Sequence, residues 1–375
     1  MDVALDRDAL YYPYIHIRDT NWLKATLLCF PQVRRIVPKD FSLNDRTEVQ
    51  PFLSITGARG EPLVTEEPAY LYSAYKAQKR LLNRLQASTP ELLAKYTRAQ
   101  SASEYGSSAD SFQMHAGKIE PLLDFLRAKE MAWPAREIKA DRPQEWYALH
   151  PRLGEAVMSV IAIAIAEEKQ LDIVTSSGRV HRALACLDEE AVLGNILGQA
   201  PRNVQPAAPQ TEMVDELAQV VMLTKFDLSR LSAEQIAELQ KDGKDLRRFK
   251  NDLLKIAQSI PDIPDPIERD RRLKSAAEEV MAEWNRYRRS LPRFAVEALL
   301  SASAWRPPEL LTGLLAGAAS TLVLASGAGL MIGLGVYAGI GVWRGYKEKA
   351  SSPYQFLSRI VAAGASLAGR PVPAR

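Results

Sequence analysis

The stretch LHPRLGEAVMSVIAIAIAEEKQLDIVT, residues 149–175, decides how the N-terminal half folds. Leu149 to Gln170 is long enough for a helix, and its run from Ala156 to Ala166 has almost no polar face, so it should be a buried core helix. Leu171–Thr175 then reads as a short apolar strand, Ser176–Gly178 as a turn, and Arg179–Leu187 as the start of another helix. Helix, strand and helix in that order point to an α/β unit.

Toward the N-terminus, Ala9–Arg18 alternates aromatic and β-branched residues and predicts a second strand, with Pro13 tolerated at an edge. Asp19 or Thr20 can cap the helix that follows. From Trp22 to Val37 the apolar residues recur at helical spacing, although Pro31 should kink or divide that helix and Pro38 ends it. Asn44–Pro68 reads as loops around one short apolar run, Phe52–Ile55, the place for a strand. Helices are expected over Pro68–Gln86, over Pro90–Gln100 with Thr89 as N-cap, and over Ile119–Lys129; Ser101–Ser111 is a small polar loop.

Toward the C-terminus, residues 199–210 carry three prolines and small polar side chains, the composition of a linker. Beyond it, Ser232 and Gln235 form a capping box for a helix running to about Gln258. A proline-rich break over Ile260–Pro266 precedes a helix that places Leu273, Ala277, Val280, Trp284, Tyr287 and Leu291 on a coiled-coil-like seam. The two helices should pack as an antiparallel hairpin.

Leu310–Trp343 contains no charged residue, and at about 1.5 Å per residue it is longer than one bilayer crossing needs. Residues 326–329, Ser-Gly-Ala-Gly, divide it into two halves. Glycines at Gly313 and Gly317, Gly329 and Gly333, Gly335 and Gly339, and Gly341 and Gly345 stand four apart, the spacing that lets apolar helices approach closely. Arg306 before the segment and Arg344, Lys347 and Lys349 after it would keep both ends on the cytoplasmic side of the inner membrane. Either a membrane-inserting hairpin or a hairpin buried in protein satisfies this pattern. An uncharged stretch of this length needs lipid, another protein or a second copy of the chain to cover it.

The fold expected is therefore mainly α with a smaller α/β N-terminal unit, a helical hairpin, and then a glycine-rich apolar helical hairpin. The corresponding segments are an α/β unit at 1–198, the linker at 199–210, a helical hairpin domain at 211–305, the apolar hairpin at 306–350 and a C-terminal segment at 351–375. A chain of 375 residues exceeds the size at which one core keeps growing. With 47% hydrophobic and 25% charged residues it has the composition of a folded protein.

Forty-eight Lys and Arg against 45 Asp and Glu leave a net charge of +3, too small for the footprint of a dedicated nucleic-acid binder. Nucleic acid is not the expected partner, and a role on it would need a local patch. Cys29 and Cys186 lack any paired spacing, so buried reduced thiols are expected. The opening MDVALDRD is acidic and without an apolar core, which argues against a secretory signal and for a cytoplasmic protein.

No phosphate loop, dinucleotide fingerprint or hydrolase elbow is present, so no cofactor is expected. His16, His115, His150 and His181 are scattered without metal-ligand spacing, and no metal is assigned. One incomplete pattern is similar to that of PIN-type nucleases, which cluster acids at the ends of parallel strands to hold divalent metal. Asp19 would match the first acid and His181 is a further catalytic candidate. Ser176 and Ser177 stand where a later acid is expected, and a helix cap accounts equally for Asp19. Arg286, Arg288, Arg289 and Arg293 lie just before the apolar segment, placed to meet anionic lipid.

LYYPYIHIRD at 10–19, WLK at 22–24 and RIVP at 35–38 resemble the bacterial family designated domain of unknown function 6236. The resemblance extends to HPRLG at 150–154, DIVT at 172–175 with His181, Arg248-Phe249, and SPYQFL at 352–357. It implies a bacterial protein and supplies no activity. Members often carry aspartates after the threonine matching Thr175, where this chain has serines. Together these features favour a non-enzymatic interaction protein or membrane-associated effector, with stress or phage defence as the expected setting and a PIN-like metal nuclease as the alternative.

Overall fold

The structure, a computed structural model, describes residues 7–38, 41–105, 111–135, 145–175, 210–241, 243–258, 260, 266–290 and 352–368. It is mostly helical, with a small parallel sheet near the N-terminus. Two compact units emerge, one of residues 1–213 with 262–269, the other of 214–261 with 270–375.

The first unit begins β1 (Ala9–Tyr11), α1 (Thr20–Cys29), β2 (Val33–Val37), α2 (Gln50–Ser54), β3 (Val64–Pro68) and α3 (Tyr72–Gln86). It continues through α4 (Pro90–Ala94), α5 (Arg98–Tyr105), β4 (Phe112–His115), a 3₁₀ turn at Ala116–Lys118, α6 (Glu120–Ala128), β5 (Ala132–Pro134), β6 (Trp146–Leu149), α7 (Pro151–Lys169) and β7 (Asp172–Val174). The main sheet has the order β3-β2-β1-β7 and is parallel throughout, with Ala9 in register with both Val33 and Asp172. A second sheet, β4-β6-β5, is antiparallel.

Central parallel strands are covered on both faces, and β1 is buried at every position. One face packs on α3, α6 and α7 through a core containing Leu10, Ile36, Leu81, Leu122 and Ile161. Helix α7 has the buried run expected of it, from Ala156 to Ala166, and ends where Gln170 turns left-handed at φ 54°. Near its start Gly154 lies against Phe112, so closely that a Cβ there would stand 2.4 Å from the ring. On the opposite face, Trp22 of α1 packs on Tyr11 at 4.9 Å between ring centroids.

Several local expectations are corrected. The helix anticipated from Trp22 to Val37 stops at Cys29, and Val33–Val37 is the strand β2. Pro31 interrupts the helical ladder, and the β-branched residues beyond it find partners on both sides in β1 and β3. Phe52 lies in helix α2, and the strand of that region is Val64–Pro68. The strand opened at Ala9 ends at Tyr11, two residues before Pro13, which has no N–H to donate.

The second unit contains α8 (Gln210–Lys225) from Val214 onward, β8 (Phe226–Asp227), α9 (Ala233–Lys241), α10 (Gly243–Ala257), α11 (Pro266–Ser290) from Asp270 onward, α12 (Gln355–Ala362) and β9 (Ser366–Leu367). The capping box forms: Ser232 N donates to Gln235 Oε1 at 2.8 Å, and Gln235 N to Ser232 Oγ at 3.3 Å. The helical run it opens is seen as α9 to Lys241 and α10 from Gly243 to Ala257, close to the expected end at about Gln258, with residue 242 outside the described residues. Leu273, Ala277, Val280 and Trp284 of the seam are buried. Residues 352–368 belong to this unit's packing, since Phe356 stacks on Phe249 and β9 pairs with β8.

Candidate functional site

A parallel sheet offers ligands the crevice beyond the carboxyl ends of its strands, where the chain reverses its direction of winding. Here that reversal lies at β1, whose neighbours are β2 on one side and β7 on the other. The loops leaving β1 and β2, together with the 3₁₀ turn after β4, bring a polar and aromatic cluster to this edge.

Its foundation is an ion pair. Arg35, in the middle of β2, is fully buried and places Nη1 at 2.7 Å from each carboxylate oxygen of Asp45. The same carboxylate lies 3.3 Å from Nδ1 of His16, which follows β1. Burial alone would push the Asp45 carboxyl up, but hydrogen bonds from His16 and Arg35 and their charges hold it below the usual carboxylate range. With Asp45 ionised, Nδ1 of His16 is the donor to it, and Nε2 is the ring nitrogen left for another partner. The His16 ring is 40% exposed, in contrast to the acid behind it. This is the arrangement of an acid-oriented general base.

Beside it stands an aromatic group. Phe41 contacts the rings of His16 at 5.9 Å and His115 at 5.3 Å, and Trp146 contacts His115 at 5.5 Å. His115 Nδ1 accepts from Gly117 N at 3.1 Å, so Nε2 carries the proton and donates to Glu145 at 3.0 Å. Gly117 fits closely: a Cβ there would lie 3.2 Å from both Pro38 and the His115 ring, so that one of them would have to give by a few tenths of an ångström. Lys118, next in the turn, is buried, and its one hydrogen bond among the described residues is a long one, 3.5 Å to the carbonyl of Pro13. Burial pushes its ammonium down to about 7. Such an amine holds or releases a proton near neutrality.

The Lys118 charge has a stability consequence. Because the folded pKa is depressed, the unfolded chain binds more protons between about pH 7 and pH 10. Stability should therefore rise with pH across that window as the buried amine loses its charge. Lys118→Met is expected to melt above the parent at pH 7, by about 2–4 °C for each kcal/mol of relieved desolvation, with the gap closing toward pH 10. Paired thermal melts across pH check this, and a variant less stable than the parent at pH 7 would show that the ammonium is favourably held.

The residues singled out from sequence fare differently. Asp19 is the N-cap of α1, its Oδ1 accepting from Trp22 N at 2.9 Å. His150 is buried before α7, 3.3 Å from Glu104 and edge-on to Tyr96, and burial lowers its pKa. His181, Cys186, Ser176 and Ser177 lie outside the described residues, as do Gly313, Gly317, Gly329, Gly333, Gly335, Gly339, Gly341, Gly345 and Arg293. Arg286 pairs with Glu283 one turn earlier, Arg288 lies over the Trp284 ring at 4.9 Å, and Arg289 is exposed. Among the described residues no three His, Cys, Asp or Glu side chains gather as a metal site, and no helix is long and apolar enough to cross a membrane.

Sequence reasoning named His16 and His115 only as scattered histidines and missed Arg35, Asp45 and Lys118. A signal was present in Val33-Arg34-Arg35-Ile36-Val37, where two arginines interrupt an apolar strand. No family model matches this chain, and no curated protein or solved structure shows significant similarity to it.

Proposed function

We propose that the chain is a membrane-associated interaction protein, attached through an apolar hairpin formed by Leu310–Trp343, whose α/β unit presents His16, backed by Asp45 and Arg35, to a ligand. The observation that supports a hairpin is the packing of its two flanks against each other. Trp284 of α11, shortly before the segment, donates its Nε1 proton to Ser358 of α12, shortly after it, at 3.2 Å in a buried contact. Described residues on both sides of the segment thus share one packed core, an arrangement that a hairpin allows and a single crossing does not. The uncharged sequence and its four-residue glycine spacing supply the rest.

Truncation after Arg306 would confound the test, because it also removes Phe356, Leu357 and Ile360 from the core of the helical unit. The informative variant replaces 310–343 by a short Gly-Ser linker and keeps 352–368. Fractionated bacterial cells should yield the full chain in membranes after a carbonate wash and the linker variant in the supernatant. A full chain that stays monodisperse in buffer without detergent would refute insertion and make the segment a protein-covered core.

A further inference from the structure

Three of the four large hydrophobic side chains that are exposed among the described residues sit within six positions: Tyr70 at 55%, Tyr72 at 68% and Tyr75 at 45%. They occupy the connection from β3 into α3 and the first turn of that helix, at the carboxyl edge of the parallel sheet. The inward positions of α3, Ala74, Ala77, Leu81 and Leu85, are spent on the core. Its outward stripe reads Tyr72, Tyr75, Lys76 and Lys79, at steps of three, four and seven, so these side chains share one face. The helix carries Lys76, Lys79, Arg80 and Arg84 and no acidic residue. Lys76 Nζ lies 4.5 Å from the centre of the Tyr72 ring, and Lys79 Nζ lies 5.5 Å from that of Tyr75. Glu168 accepts from Ser73 N at 3.3 Å, ahead of the lysines in the first turn.

We propose that this tyrosine-lysine face of α3 is a stacking surface for single-stranded nucleic acid. Exposed rings in sequence with cations match a polymer that alternates flat bases with phosphates, and stacking on them is indifferent to base identity. The near-zero charge balance of the whole chain conceals the patch, because it sums over all residues, whereas α3 carries four cations and no acid of its own. An anionic membrane is the poorer complement: a helix lying in a bilayer surface needs its aliphatic face free, and that of α3 is already buried against α6 and α7. An exposed lysine-ring contact is weak, so a base displaces it at small cost. The surface is independent of the apolar hairpin and goes beyond membrane attachment.

The test uses the full chain in a non-ionic detergent, with a fluorescent oligo-uridylate and an oligo-thymidylate of about fifteen nucleotides followed by anisotropy. Tyr72→Ala and Tyr75→Ala are expected to weaken binding about five- to a hundredfold each while leaving the salt dependence intact. Lys76→Ala with Lys79→Ala should reduce the slope of log affinity against log salt by about 1.4, two phosphates at the single-strand value. All four positions are exposed, so unchanged melting curves certify the fold. Preference for the oligonucleotides over heparin, a polyanion without bases, supports the proposal. Equal binding of heparin, or indifference to both tyrosine substitutions, overturns it. So does flotation on phosphatidylserine vesicles that the tyrosine variants lose while no oligonucleotide binds, which would assign the face to lipid.

Discussion

Asp45→Ala is expected to lower the melting temperature of the N-terminal unit by about 6–20 °C, from a cost of about 3–5 kcal/mol for stranding a buried charge. Arg35 is 0% exposed in an inner strand of the sheet, and the Asp45 side chain is 2% exposed. The guanidinium Nε and Nη2 already lack hydrogen-bond partners among the described residues, and Glu66, 3.7 Å from Nη2, is more than half exposed. Losing Asp45 therefore leaves a cation inside the sheet with a weak, solvated neighbour. Asp45→Asn, which keeps an acceptor and the shape but not the charge, should fall between the two. The sign with pH follows from the depressed carboxyl: the advantage of the parent is complete above the ordinary carboxylate pKa of about 4 and disappears as pH falls through the folded value. Calorimetry of parent and variant at pH 7 and pH 3 measures both effects. Equal melting temperatures at pH 7 would show that the pair does not hold the strand and that His16 is oriented by something else.

A comparable loss, with a different remedy, is expected in the helical unit. Lys250 of α10 and Asp215 of α8 meet at 2.6 Å, with side-chain exposures of 1% and 9%. Burial pushes the Asp215 carboxyl up, and the charge and hydrogen bond of Lys250 pull against it. Lys250→Met should cost about 3–5 kcal/mol because the remaining acid is buried without its cation. That variant should also destabilise further as pH rises past about 4, where the unfolded carboxylate ionises freely and the folded one resists. Adding Asp215→Leu is expected to restore stability to within about 1 kcal/mol of the parent, since two apolar side chains fill the same space without the desolvation of two ions. Urea unfolding of the single and double variants decides it. A double variant as unstable as the single would mean that the pair contributes through its geometry, not through compensation of charge.

Local chemistry was legible wherever one segment contains all of the partners. Ser232 and Gln235 satisfy each other within one turn, Asp19 caps the helix that begins beside it, and the apolar run of α7 demands burial whichever elements cover it. The same rules misread Trp22–Val37, because the apolar spacing of Val33 and Val37 serves a helix and a buried strand equally, and the choice belongs to β1 and β3. Net charge was a poor guide to surface for a related reason: it sums over the chain, whereas the Tyr72–Lys79 face is a local excess.

The amino-acid sequence by itself determined the helical character, the buried helix ahead of a strand at 171–175, the capping signals and the uncharged stretch at 310–343, because each depends on neighbours within a few turns or on a run of one residue type. Only the tertiary structure decided that β7 pairs with β1, that three short strands near Phe112, Trp133 and Trp146 form a second sheet, and that Arg35, Asp45, His16, His115 and Lys118 gather at one edge. Pro13 and Lys118 are far apart in the chain yet joined by a hydrogen bond, and no periodicity encodes a contact of that range. What selects it is the burial of both faces of a parallel sheet, which closes the loops and then holds whatever polar side chains those loops carry.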